Sequence, residues 1–129
     1  MNLKTYSKFV SELTARLDND LLDSLHMILG IGTELGELSD NFKKHMAYGK
    51  ELDKVNVEEE IGDILFYVTG LCNLLGVSVE KILDQNVEKL STRYPGNKFT
   101  QEKALNRNLE SERKVLEGYS QMSLINDPE

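Results

Sequence analysis

Apolar residues recur at steps of three and four along most of this chain, which is the spacing that places them on one face of an α-helix. Alternating runs of Val, Ile and Thr, which are typical of strands, are scarce. The 129 residues include only two prolines, Pro95 and Pro128. The pattern therefore predicts an all-α fold, with helices at about residues 5–17, 21–47, 57–75 and 79–92.

Short connections between these helices favour an antiparallel four-helix core. Gly49 is expected to end the second helix as a C-terminal cap, and Asn56, with Glu59 three residues later, is expected to cap the third. The middle of the third helix is apolar almost all round, so it should be the most buried element. The stripe of the second helix consists of Leu21, Leu25, Ile28, Ile31, Leu35, Leu38, Phe42 and Met46.

The sequence becomes more polar from Asn97 onward. We therefore divide it into a helical domain, residues 1–99, and a C-terminal helix or tail, residues 100–129. Thr100 is a suitable cap for a fifth helix that would reach about Glu117. Its apolar positions are sparse, which fits either a solvated segment or an arm that covers a neighbouring subunit.

Composition and charge exclude several classes of function. The formal net charge is −7, which argues against nucleic-acid binding because counterion release requires a basic surface. No apolar run reaches the roughly 18 to 20 residues of a membrane span, and the N-terminus lacks the apolar stretch of a signal peptide. The single Cys72 fits a reducing compartment, so a cytoplasmic location is expected.

One short pattern occurs twice. Glu34-Leu35-Gly36-Glu37-Leu38 is repeated as Glu60-Ile61-Gly62-Asp63-Ile64, each an acid, an aliphatic, a glycine, an acid and an aliphatic. Residues i and i+3 of a helix are about 60° apart, so the two acids of each copy share a face. If the second and third helices pack antiparallel, four carboxylates can converge: Glu34, Glu37, Glu60 and Asp63.

Converging carboxylates repel one another unless a cation lies between them. Oxygen-only ligands favour Mg²⁺, with Mn²⁺ as a substitute, over zinc. Each glycine costs about 1 kcal/mol relative to alanine inside a helix. Close approach of another helix would explain Gly36 and Gly62. A solvated acidic face is the alternative interpretation.

The same helical arithmetic extends the polar face. His26, Asn41 and Lys44 lie on the side of Glu34, and Tyr67 lies on the side of Glu60. Cations near a metal site can neutralise phosphate oxygens, and an aromatic ring can cover a nucleobase. Each of these side chains also has a purely structural interpretation. On the fourth helix a further polar stripe is formed by Asn86, Lys89 and Arg93.

These residues carry a family resemblance. The segment 30–49 resembles the metal-binding helix of the MazG-like all-α nucleoside triphosphate pyrophosphohydrolases, and 59–67 resembles their second acidic motif. Residues 86–95 match their closing Asn-x-x-Lys-Leu-x-x-Arg-Tyr-Pro signature. The likeness covers about residues 21–99. Many members have an additional acid immediately before the first motif, where this chain has Thr33.

The resemblance implies an all-α homodimer or homotetramer whose residues 1–99 form the catalytic domain. It implies hydrolysis of nucleoside triphosphates between the α- and β-phosphates, giving a monophosphate and pyrophosphate. Glu34, Glu37, Glu60 and Asp63 would hold Mg²⁺. Glu34 and Glu37 would be catalytic, and Glu37 would position or deprotonate the attacking water. Substrate would be bound by Lys44, Tyr67, Asn86, Lys89, Arg93 and His26.

Two other interpretations remain. A di-iron bundle requires two Glu-x-x-His pairs, whereas this chain offers only Asp23-x-x-His26, so that class is disfavoured. A non-catalytic helical oligomerisation or nucleotide-sensing module would use the same helices without turnover.

Overall fold

The computed structural model is all-helical over the residues that it describes, which are 1–126 for the backbone and 1–118 for the side chains. Residues 127–129 of the expected C-terminal tail lie outside that range. The helices are α1 (Leu3–Leu13), α2 (Asp20–Tyr48), α3 (Lys54–Leu74), α4 (Val79–Arg93), α5 (Gln101–Leu105) and α6 (Leu109–Asn126). The all-α prediction is confirmed.

The chain divides into two compact units, residues 1–79 and residues 80 onward. In the first unit α3 is the central element, because it packs against both α1 and α2. The four-helix core stays a prediction, since α4 belongs to the second unit. The proposed division into residues 1–99 and 100–129 also stays a prediction.

α2 and α3 form an antiparallel hairpin. Contacts pair Asn41 with Asn56, Gly30 with Tyr67, and Met27 with Gly70, so the numbers on α3 rise as those on α2 fall. Gly49 ends α2 in the left-handed conformation with φ 64°, as expected from its position. A short connection then leads into α3, which brings the two acidic motifs to the same stretch of the hairpin.

Three expected helix boundaries are wrong, each because a different polar group satisfies the backbone. α1 ends at Leu13 instead of Leu17, and the N–H of Leu17 donates to the Asp23 carboxylate at 2.5 Å. α3 starts earlier than expected because Asp53, not Asn56, is its N-cap. The expected fifth helix is interrupted after Leu105, and Asn108 accepts from the N–H of Ser111 to start α6.

The apolar stripe of α2 does not face the core of its own unit. Six of its eight expected members are exposed: Leu21, Leu25, Ile28, Leu35, Phe42 and Met46. The face of α2 that packs on α3 includes Met27, Gly30 and Glu34 instead. Ile61 and Leu65 of α3 are also about half exposed, so α3 is less buried than its composition predicted. Among the described side chains, the buried hydrophobic residues are Val10, Met27 and Cys72.

Within the described part of the chain no single helix is long and apolar enough to cross a membrane. The consecutive pair α3 and α4 reaches that threshold only jointly, by length and composition.

Candidate metal centre

Three carboxylates meet where α2 packs against α3. Glu34, Glu37 and Glu60 each offer an oxygen, and these oxygens lie within 4.8 Å of one another. The three side chains differ in exposure: Glu60 is 3% exposed, Glu34 is half-buried and Glu37 is exposed. The hairpin therefore places one ligand-type oxygen inside the helix pair and another at the solvent boundary.

The electrostatics of this cluster are those of crowded negative charge. Partial burial raises the pKa of Glu34, and its hydrogen bond with Glu60 raises it further. The charges of Glu37 and Asp63 act in the same direction. Repulsion between like charges favours the protonated acid when nothing positive is close. A cation at this position would remove the repulsion.

Asp63, the fourth predicted ligand, lies beside the cluster. It is exposed and is not one of the three residues whose oxygens group together among the described side chains. Its charge nevertheless contributes to the raised pKa of Glu34. Burial is the main cause of the raised pKa of Tyr6 on α1, and the charge of Asp63 raises it further. Its role as a ligand stays a prediction.

The cluster fits a hard divalent cation. Oxygens bound to one Mg²⁺ at about 2.1 Å are about 3.0 Å apart when adjacent and about 4.2 Å apart when opposite. A separation of 4.8 Å would need a contraction of about 0.6 Å for an opposite pair and about 1.8 Å for an adjacent pair, which rotation of the flexible glutamate side chains can supply. All three donors are carboxylate oxygens, the ligands that Mg²⁺ and Mn²⁺ prefer. The donor set and its spacing therefore suit the ion that the sequence predicted.

A chain of two asparagines supports the buried ligand. Asn56 donates from Nδ2 to Oε1 of Glu60 at 2.7 Å, and Asn41 donates from Nδ2 to Oδ1 of Asn56 at 2.8 Å. Asn41 also donates to the backbone carbonyl of Asp53 at 3.2 Å. Sequence reasoning placed Asn41 on the acidic face but assigned Asn56 to helix capping. The signal for Asn56 was its position four residues before Glu60, which places both on one face of α3.

Tyr67 lies directly on α2 at Gly30. A Cβ added to Gly30 would overlap Cδ1 and Cε1 of the ring and lie 2.6 Å from Cγ, so only glycine accommodates the tyrosine there. His26 packs its ring edge-on against Tyr67, with centroids 6.2 Å apart. The structure thus brings these two predicted substrate-binding residues together, and their contact with substrate stays a prediction.

The glycines of the repeated motif do not act as expected. Nothing in the described structure lies within 4 Å of a Cβ added at Gly36 or Gly62, so neither marks close helix packing within the chain. Close approach occurs at Gly30, against Tyr67, and at Gly70, where an added Cβ would lie 2.6 Å from Sδ of Met27. The correction follows from register, because packing glycines must lie on the facing sides of the hairpin.

A cleft of about 520 Å³ opens beside the carboxylates, a volume in the range of small-molecule sites. It includes Glu37 of the cluster and Lys44, another predicted substrate-binding residue. Lys44 pairs with Asp40 at 2.5 Å, which raises the pKa of the lysine and lowers that of the aspartate. The cleft is lined by Thr33, Gly36, Glu37, Asp40, Asn41, Lys44, Lys50, Glu51, Asp53 and Asn56.

The remaining predicted substrate-binding residues, Asn86, Lys89 and Arg93, lie on α4 in the second unit. Their spacing on a continuous helix keeps them on one face. Asn86 is exposed and Lys89 is half-buried. Contact between this face and a nucleotide stays a prediction.

Arg93 has a carboxylate partner within its own unit. Glu112 of α6 accepts from Nε and Nη2 of Arg93 at 2.8 and 2.7 Å, in the bidentate geometry of a strong ion pair. Arg107 donates to the same carboxylate at 2.7 Å. These hydrogen bonds hold the pKa of Glu112 far below its usual range and raise that of Arg93. The C-terminal segment is thus tied to the end of α4 by a buried acid shared between two arginines.

A family comparison decides what this helical chain is related to. The family model described as the MazG nucleotide pyrophosphohydrolase domain matches residues 23–97, which is more than half of the chain. The chain belongs to the MazG family. The match includes both acidic motifs and the Asn86–Pro95 signature, so the family identification made from those motifs is confirmed.

Two curated relatives of this MazG chain are similar over part of their length. It is 36% identical over 74 residues to "Uncharacterized protein YpjD" of Bacillus subtilis, covering 54% of this chain and 65% of YpjD. It is 30% identical over 84 residues to "Gene 37 protein" of Mycobacterium phage L5, covering 59% of this chain and 71% of that protein. The chain thus spans just under two thirds of the length of YpjD. No solved structure matches it significantly.

Proposed function

We propose that this chain hydrolyses nucleoside or deoxynucleoside triphosphates between the α- and β-phosphates, with Mg²⁺ as the cofactor and Mn²⁺ as a substitute. The observation that carries the proposal is the grouping of Glu34, Glu37 and Glu60 within 4.8 Å in a MazG-family chain. One water is consumed, the phosphoanhydride bond breaks, and the products are a nucleoside monophosphate and pyrophosphate. Control of a cytoplasmic nucleotide pool is the biological role that this reaction would serve.

The three clustered carboxylates have different parts in this proposal. Glu60, which is buried, and Glu34, which is half-buried, would hold the ion, and Asp63 would add a further ligand. Glu37 is the exposed member, so it has room to orient a water and accept its proton. When bound, the ion lowers the pKa of water and offsets negative charge on the phosphates.

Substrate binding is proposed for the polar groups beside the cluster. Lys44 lines the cleft next to Glu37, and its ammonium would exchange Asp40 for a phosphate oxygen. Tyr67 and His26, which pack against each other, would contact the base. Asn86, Lys89 and Arg93 would contact phosphate or sugar, as the family signature implies.

The decisive experiment measures pyrophosphate release from each canonical and modified (d)NTP, with products identified by chromatography. Release is expected only with Mg²⁺ or Mn²⁺ present. Glu37→Gln and Asp63→Asn should abolish turnover while the circular dichroism spectrum stays helical. Glu58→Gln, which removes an exposed charge of α3 outside the cluster, should retain turnover. Turnover that persists in both active-site variants would contradict the proposal.

We also propose that the chain assembles as a homodimer or homotetramer through α2. Residues of its exposed face alternate at steps of four and three, the repeat that packs helices side by side. Gly32 and Ser39 place two small side chains in the middle of this repeat. The full set, called here the α2 seam, is Leu21, Leu25, Ile28, Gly32, Leu35, Ser39, Phe42 and Met46. Its six large apolar side chains are all exposed, and a row of exposed apolar residues along one helix is typical of an interaction surface.

The α2 seam also supports the alternative function, a non-catalytic oligomerisation or nucleotide-sensing module. Sedimentation of the wild-type chain should show a dimer or tetramer, and Leu35→Lys combined with Phe42→Lys should give a monomer. Val55→Lys, at an exposed apolar position of α3, is the matched control and should keep the assembly. A monomeric wild-type chain would refute the assembly proposal. An assembled chain that binds but does not hydrolyse nucleotides would favour the sensor.

A further inference from the structure

We propose that Asn56, held in place by Asn41, is a positioning residue that fixes the carboxylate of Glu60 for a divalent cation. The inference rests on the proposed function, because it assumes that Glu60 is a metal ligand. It concerns two side chains that would act through Glu60 instead of ligating the ion.

The asparagine chain has a single direction, set at both ends. The backbone carbonyl of Asp53 can only accept, so the amide of Asn41 must present Nδ2 to it. The same Nδ2 reaches Oδ1 of Asn56, which turns Nδ2 of Asn56 towards Glu60. Reversal of Asn56 would place its oxygen against the Glu60 carboxylate, which only accepts, and its Nδ2 against the Nδ2 donor of Asn41. Asn41 therefore determines that Asn56 offers Glu60 an N–H.

Burial makes this bond hard to replace. Glu60 is 3% exposed, so bulk water has little access to its carboxylate if Asn56 is removed. The bond commits Oε1 and fixes the rotation of the carboxylate, which determines where Oε2 is presented. Partners of ligating carboxylates typically contribute 10- to 100-fold to metal affinity, because a misoriented ligand must be ordered on binding.

The neighbouring acid provides an internal comparison. Glu59 is also within reach of Asn56, but its Oε2 is 3.5 Å from Nδ2 and its side chain is exposed. That distance is at the limit of a hydrogen bond, whereas the bond to Glu60 has the length of a strong one. Asn56 is therefore directed at the buried acid of the cluster, not at the exposed one.

The test is Mn²⁺ binding to the full chain, measured by isothermal titration calorimetry and by the loss of the free-ion paramagnetic resonance signal. Asn56→Ala should raise the Mn²⁺ dissociation constant by about 10- to 100-fold. Asn41→Ala should raise the dissociation constant less. The double variant should bind Mn²⁺ no more weakly than Asn56→Ala alone. Glu59→Gln is the matched control and should change affinity by no more than about twofold.

The outcomes separate this inference from the proposed function. A wild-type protein that binds no Mn²⁺ would contradict both the positioning role and the proposed function. Wild-type binding that is unchanged in Asn56→Ala, with only a lower melting temperature of the metal-free protein, would leave the function intact and overturn the positioning role. If Asn56→Ala does not fold, Asn41→Ala gives the same decision, because it retains Asn56 and removes only the group that orients it.

Discussion

Replacement of Gly30 by alanine tests the packing of the helix hairpin directly. The new methyl would overlap two ring carbons of Tyr67 and lie 2.6 Å from a third, whereas carbon atoms normally approach to about 3.5–4.0 Å. The ring cannot simply withdraw, because Phe66 and His26 pack against it with centroids at 5.4 and 6.2 Å. Overpacking of this kind costs about 1–3 kcal/mol.

The net effect follows from two opposing terms. In a helix interior, alanine in place of glycine raises the free energy of unfolding by about 1 kcal/mol. With an overlap of about 1 Å on three ring carbons the steric cost lies near the upper end of its range, so we expect a net loss of about 1–2 kcal/mol. For a chain of 129 residues this corresponds to a fall in melting temperature of about 4–8 °C.

Gly62→Ala is the matched control because nothing in the described structure lies within 4 Å of its added Cβ. It should gain the helix term alone and stabilise the chain by about 1 kcal/mol. Urea denaturation followed by circular dichroism measures both variants. In a Tyr67→Ala background, Gly30→Ala should become stabilising. A Gly30→Ala variant as stable as Gly62→Ala, or a cost that persists without the ring, would refute the reasoning.

Three further predictions concern other groups. Asp23→Ala should lower the free energy of unfolding by about 2–3 kcal/mol, measured by urea denaturation, because this buried carboxylate accepts from the Leu17 N–H and pairs with Arg16 at 2.7 Å. A loss below about 0.5 kcal/mol would contradict this. The pKa of Glu112 is lower in the folded chain than its ordinary value of 4.5, so this group stabilises the fold above pH 4.5 and that stability is lost as the pH falls towards the pKa of the folded state. Glu112→Gln should therefore flatten the decline of the unfolding free energy between pH 5 and pH 3. Equal slopes of unfolding free energy against pH in the two proteins would refute this. Burial raises the pKa of the Cys72 thiol, so alkylation at pH 8 should be at least about tenfold slower in the folded than in the urea-unfolded chain, and equal rates would count against that burial.

Sequence reasoning succeeded where the determinant is local. The i, i+3 spacing of Glu34 and Glu37 fixes their common face in any helix, and the left-handed cap at Gly49 follows from the absence of a side chain. Their approach to Glu60 required only the further assumption of antiparallel packing. The family was evident from motif order for the same reason, since a motif is a local pattern.

The failures at the helix caps and along the apolar stripe of α2 concern a choice between equivalent partners. Asp53 and Asn56 are both good caps, and only the tertiary bond from Asn41 shows why Asn56 is used elsewhere. An apolar stripe such as that of α2 has the same spacing whether it faces its own chain or another, so periodicity could not assign its side. The interruption between α5 and α6 likewise depends on Asn108 competing with continued helix formation.

The α2–α3 hairpin has a consequence for how the chain acquires its structure. Glu34 and Glu60 are only 26 positions apart, and Asn41 and Asn56 only 15, so bringing them together closes short loops. Loop-closure entropy grows slowly with length, and contacts between near neighbours in sequence form early in folding. The carboxylate cluster should therefore appear with the first tertiary contacts during refolding, before α1 has docked.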